Sequence, residues 1–174
     1  MDSESLRALQ APLKDKYRAD AKSAVVTLRA KGQLGEHVTC RVETGRALVE
    51  AGLHPATGGD GMAACSGDML LEALVACAGV TLSAVATAIG LDIKSGTVSA
   101  EGDLDFRGTL GVSREAPVGF TNIRLRFHLD TTATREQLDK LLQLTERYCV
   151  VYQTLRTPPK FEVAISTEPS HSSQ

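Results

Sequence analysis

The stretch from Ser66 to Gly90 constrains this chain more than any other. At helical spacing, Leu70, Leu74, Cys77, Thr81 and Ala84 share one face, and Leu71, Ala78, Leu82, Val85 and Ile89 share another. Both faces are apolar, which marks a helix covered on most sides. Ser66 reads as its N-cap, Asp68 places negative charge in the first turn, and Gly90 suits a left-handed stop. Such a helix is roughly 35 Å long at 1.5 Å per residue, the width of a small domain. Cys77 lies at its middle. Taken alone, a cysteine there reads as a small core hydrophobe.

Two strand patterns precede it. Residues 24–30 (AVVTLRA) and 37–43 (HVTCRVE) alternate apolar and polar with KGQLGE between them, which predicts a hairpin. Residues 46–53 predict a third strand, and the glycine-rich loop HPATGGDGMAACSG (54–67) leads into the helix. That loop is no phosphate cradle, because no GK[ST] follows it. After Gly90, residues 91–109 predict one long bent strand or two, broken around Gly96 and Gly102. Residues 110–118 read as a loop. In 120–129 (FTNIRLRFHL) Ile123, Leu125, Phe127 and Leu129 face inward while Arg124, Arg126 and His128 face solvent.

Thr134 and Gln137 spell a capping box that opens a second helix, 135–148, with Leu138, Leu141, Leu142 and Tyr148 as its apolar face. Cys149 falls at its end, and KFEVAIST (160–167) predicts a last strand after Pro158–Pro159. The expected organisation is a peripheral helical segment at 1–22, one domain at 23–168 and a disordered tail at 169–174. Strand runs separated by two helices define an α+β fold with mostly antiparallel sheet.

With 174 residues, 43% hydrophobic and 23% charged, the chain has the composition of a single soluble domain. Net charge is −2 and aromatics are 4%, so neither nucleic acid nor an anionic membrane is an expected partner. Four cysteines without a signal sequence or any CxxC read as thiols, with a cytoplasmic setting and no metal site.

The two blocks GDMLLEALVACAGVTLSAVATAIGL, with Cys77, and LLQLTERYCVVYQTL, with Cys149, resemble the OsmC/Ohr family of osmotically induced and organic-hydroperoxide thiol proteins. The resemblance runs from about residue 24 to 167. It implies an OsmC-like sandwich, with sheets wrapped around two long central helices in an intertwined homodimer. It also implies a thiol-dependent peroxidase. Cys77 would be the peroxidatic thiolate and Cys149 its resolving partner, with an organic hydroperoxide as substrate, an external thiol as reductant and no cofactor. The alternative is a catalytically weakened protein of the same fold that binds a small apolar ligand at the dimer interface. Cys65, before the same helix, is the rival resolving thiol, and Cys40 reads as structural.

Burial alone raises a thiol's pKa, so a thiolate in this helix needs help. The family supplies an arginine held by a glutamate, and the resemblance points to Arg46, then Arg41 and Arg29, for the former. Gly67 occupies the position expected for the glutamate, leaving Asp68 as the acidic candidate, with Asp60 and Glu72 behind it. The family's second block often carries proline after its cysteine, where this chain has Val150.

Overall fold

The computed structural model describes residues 2–5, 8, 11, 19, 31–34, 40–43, 48–111 and 113–166, with main chain only for 31–34, 40–43 and 48. Of the leading segment, residues 3–5 are helical, and Asp2 Oδ1 accepts the Ser5 N–H at 2.7 Å. The predicted strand at 24–30 and the tail at 169–174 lie outside the described residues.

The first sheet comprises β1 (Lys31–Leu34), β2 (Cys40–Glu43), β3 (Leu48–Gly52) and β4 (Ala64–Cys65). The first three are antiparallel neighbours, with Lys31 opposite Glu43 and Cys40 opposite Ala51, while β4 joins β3 in parallel. The first strand of the predicted hairpin lies outside the described residues; residues 40–43 pair antiparallel with KGQL, read as its connection, which is itself a strand. A short polar strand is specified by its partner across the ladder more than by its own letters.

Helix α1 (Ser66–Ile89) follows β4 directly. Its N-cap is Cys65 and not Ser66, and no side chain caps it. The cause is the sheet: Cys65 pairs with Gly52 and stays extended at φ −81°, ψ 128°, so the helix starts one residue later. The far end is as expected. Gly90 is left-handed at φ 69°, and Leu91 N–H closes onto the Ala86 carbonyl at 2.9 Å, as in a Schellman stop.

The second sheet pairs β5 (Ser95–Leu104) with β6 (Phe120–Asp130), antiparallel from Ser95↔Asp130 to Leu104↔Phe120, with a bulge at Asp103/Leu104. The predicted 91–109 strand is thus a single strand, and its last residues form a short helix, α2 (Phe106–Thr109), capped by Asp105. Gly102 is required beside the bulge, because a Cβ there would sit 2.4 Å from the Phe120 ring. On the outer face Arg124 bonds Asp103 at 2.7 Å, and Arg126 bonds Glu101 at 2.8 Å. These guanidinium groups hold both carboxyls below the usual carboxylate range. His128 is exposed, as its alternation predicts.

The capping box opens α3 (Arg135–Tyr148): Gln137 N–H donates to Thr134 Oγ1 at 3.3 Å, and Thr134 N–H donates to Gln137 Oε1 at 2.8 Å. Only Leu141 and Thr145 of this helix are buried. Leu142 and Tyr148, predicted inward, are 42% and 59% exposed. Leu142 lies about 100° round the helix from Leu141, and the Arg147 guanidinium covers Tyr148 at 5.7 Å. The second helix ends at Tyr148, as its sequence pattern predicts, and after Cys149 the chain turns into α4 (Val150–Arg156). Residues 160–166 form no strand; among the described residues nothing pairs with them.

The core lies between α1, β5–β6 and α3–α4. Leu74, Ala78, Leu82, Val85 and Ala86 of α1 are buried, Leu141 meets the Leu82–Ala86 end, and Leu91, Ile93, Phe127, Leu129 and Leu144 close around it. By length and composition α1 is apolar enough to cross a membrane, yet here it packs on elements of its own chain. Leu141 is 1% exposed, so Leu141→Ala is expected to lower unfolding free energy by about 2–5 kcal/mol in chemical denaturation. A loss under roughly 1 kcal/mol would remove it from the core.

Candidate active site

Cys77 and Cys149 come together where the middle of α1 meets the α3–α4 junction. Cys149 ends α3 and caps α4, with φ −73° and ψ 109° breaking the helix between Tyr148 and Val150. Its N–H donates to the Thr145 carbonyl at 2.9 Å, which closes α3, and its carbonyl accepts from Gln153 N–H at 2.9 Å, which opens α4. That break turns the sulfur back onto α1. Cys149 is buried at 1% exposure, whereas Cys77 is partly open.

The two thiols act on one another, and their pKa values move in opposite directions. For Cys77, burial pushes the thiol up, but a set of donors outweighs it: Val151 N–H, the Cys149 thiol, Val150 N–H and the Thr81 hydroxyl. The net effect lowers it below the ordinary thiol value. For Cys149, burial and the neighbouring Cys77 raise the thiol, and the N–H groups of Tyr152 and Val151 only partly offset them. Of the two sulfurs, Cys77 is thus the one on which negative charge is favoured, and Cys149 the one that holds its proton more firmly. That is the division of labour a nucleophile and its resolving thiol require.

The donors have a common origin. The first N–H groups of a helix have no partner within it, and α4 begins right beside Cys77. Thr81 reaches it from one turn along α1. The shared face of Cys77 and Thr81 was legible in the sequence; the main-chain donors were not, since any residue but proline carries an N–H.

The other candidates do not meet at this point. Asp68 is exposed in the first turn of α1. Nine residues separate it from Cys77, which places it about 13 Å along the axis and half a turn round. Glu72 is exposed on the far side, and Asp60 accepts Met62 N–H at 2.9 Å within its own loop. Arg46 and Arg29 lie outside the described residues, and only the main chain of Arg41 is described, in β2. Cys65 caps α1 at the β4 junction, three helical turns from Cys77. Among the described residues no cluster of His, Cys, Asp or Glu fits a metal ion.

A cavity of about 450 Å³ opens between β6 and the α3–α4 pair, lined by Leu74, Phe127, Leu142, Thr145, Cys149 and Leu155 among others. It touches Cys149 from the sheet side and has a size suited to a small ligand.

The chain belongs to the OsmC-like protein family, whose model matches residues 58–164. That span takes in both cysteines of the pair, most of the glycine-rich loop and the second sheet. Solved structures share the fold. An OsmC-like protein from Mycoplasma pneumoniae superposes with a TM-score of 0.64 at 14% identity, covering 76% of this chain and 89% of the other. An organic hydroperoxide resistance protein OsmC from Legionella pneumophila gives 0.60 at 18% identity, covering 77% and 92%. An organic hydroperoxide resistance protein from Elizabethkingia anophelis gives 0.61 at 16%, covering 78% and 91%. No curated protein matches the chain in sequence.

Proposed function

We propose that the protein is a thiol-dependent peroxidase that reduces organic hydroperoxides through Cys77 and Cys149. The observation that carries this reading is the pair itself: a partly open Cys77 whose pKa is lowered, beside a buried Cys149 whose pKa is raised. Family membership and the hydroperoxide-resistance names of two structural neighbours support the substrate class.

In the first step the Cys77 thiolate attacks the terminal oxygen of ROOH. An S–O bond forms, the O–O bond breaks, and the alkoxide RO⁻ takes a proton to leave as ROH, with sulfur oxidised to the sulfenic acid. Cys149 then displaces hydroxide from that sulfur, which leaves as water, and a Cys77–Cys149 disulfide results. Two equivalents of an external thiol reduce it, becoming a disulfide themselves. Arg46 remains the proposed arginine that helps Cys77 stay a thiolate, as the family resemblance implies. The working unit we propose is a homodimer.

The cavity beside Cys149 favours a second reading, in which the protein binds an apolar ligand and catalyses little. One experiment separates the two. Stopped-flow consumption of an alkyl hydroperoxide with a dithiol should show turnover, and peptide mapping after one equivalent of peroxide should show a Cys77–Cys149 link. No turnover above the spontaneous reaction, or a dominant Cys65–Cys77 link, would sink the peroxidase reading as stated.

A further inference from the structure

We propose that Gln153 is a positioning residue for Cys149, bracing the break between α3 and α4 that turns this residue toward α1. Cys149 carries the break alone: the residues on both sides are helical, and its ψ of 109° departs from helix while its φ of −73° does not. Such a break leaves carbonyls at the end of α3 without their usual donors. In an unbroken helix the Glu146 carbonyl would accept from the N–H of Val150, four residues on. Here the Gln153 side chain takes that place, its Nε2 donating to the Glu146 carbonyl at 2.7 Å. The main-chain N–H of the same residue donates to the Cys149 carbonyl at 2.9 Å. Gln153 thus holds the last turn of α3 and the first turn of α4 at once, with Cys149 between them.

The main-chain bond is available to any residue but proline, so the side-chain bond is what glutamine adds. A carbonyl only accepts, and the bond is part-buried, so a side chain without a donor leaves that oxygen unsatisfied at a cost. The Glu146 carbonyl could then regain a partner only by letting the break at residue 149 change. A disulfide tolerates Cα separations of only about 4.4–6.8 Å. A rotation at one residue of the pair therefore decides how readily Cys149 meets Cys77.

The inference deepens the peroxidase reading, but its test needs no peroxide. In a glutathione redox buffer the Cys77–Cys149 pair gives two electrons and two protons to glutathione disulfide. The pair becomes a bridge, and the glutathione leaves as two thiols. The equilibrium constant, read peptide by peptide in the mass spectrometer, is the effective concentration of one sulfur at the other. Gln153→Met should lower it by about tenfold, with the helical circular dichroism held. Gln153→Glu, isosteric but without a donor at neutral pH, should lower it as far. Gln153→Lys, which restores a donor on a side chain of similar reach, should return it to within about threefold of the parent. A parent-like constant in the Met and Glu variants overturns the proposal, even if both melt earlier, because the bond would then serve stability alone. A loss that lysine does not recover also overturns it, since packing and not the donor would be at work. Failure of peroxide turnover in a parent whose pair bridges in this buffer would overturn the peroxidase reading and leave the role of Gln153 standing.

Discussion

Cys77→Ser should consume an alkyl hydroperoxide no faster than the spontaneous reaction, a loss on the order of 10³-fold or more against the parent protein. A serine hydroxyl stays protonated at neutral pH and is a poor nucleophile toward peroxide oxygen, so nothing replaces the thiolate. Cys149→Ser should behave differently. Cys77 itself is unchanged in that variant, and the main-chain N–H groups that lower its pKa remain, so the first oxidation should proceed. The sulfenic acid then has no resolving thiol and should accumulate, visible as a dimedone adduct on Cys77 at one equivalent per chain. Steady turnover should fall while the single oxidation survives. Parent-like turnover in Cys77→Ser would mean that another thiol carries the chemistry, and Cys65, also partly accessible, would be the one to examine.

The features that were legible in the sequence are those in which a residue type serves its own backbone. Gly90 marks the end of α1 because a left-handed residue is needed there. Thr134 and Gln137 mark the start of α3 because their side chains close the cap locally. What escaped depends on distant pairing. Ser66 has the chemistry of an N-cap, yet the pairing of Cys65 with Gly52 moves the helix start. KGQL has no strand signature and becomes β1 only through β2. The pattern KFEVAIST has the strand signature and no partner among the described residues of its own chain.

The site divides along the same line. Two cysteines in two recognisable blocks are visible in the letters, and the structure brings them close enough to shift each other's pKa. Their electrostatics are not, because the groups acting on Cys77 are N–H donors whose presence follows from where a helix begins. Asp68 illustrates the opposite error. It is near in sequence to the position expected for an acid, but helical phase turns it to the other side of α1 from Cys77.

Light scattering at micromolar concentration should report two chain masses. The argument is the apolar surface that one chain leaves open. On α1 the face opposite the core carries Val80 at 72% exposure, and the extended C-terminal segment carries Phe161, Val163 and Ile165 at 80%, 92% and 95%. Each such side chain forgoes roughly 1.5–3 kcal/mol while it faces water. Four of them together rival the whole stability of a domain, about 5–15 kcal/mol. Phe161, Val163 and Ile165 also alternate with Lys160, Glu162 and Ala164, a pattern that gains only when a neighbouring strand accepts its hydrogen bonds and one face is covered. A second copy meets both needs at once, offering an identical α1 face and further sheet edges, and closed two-fold pairing is the usual outcome of such self-complementary surfaces. Val80→Asp places a charge on the helix face and should dissociate the dimer or unfold it, whereas the same change at the exposed Val118 in the loop should do neither. One chain mass for the parent protein, with its helical circular dichroism intact, would separate the cysteine pair from any subunit interface and leave it a site of the single chain.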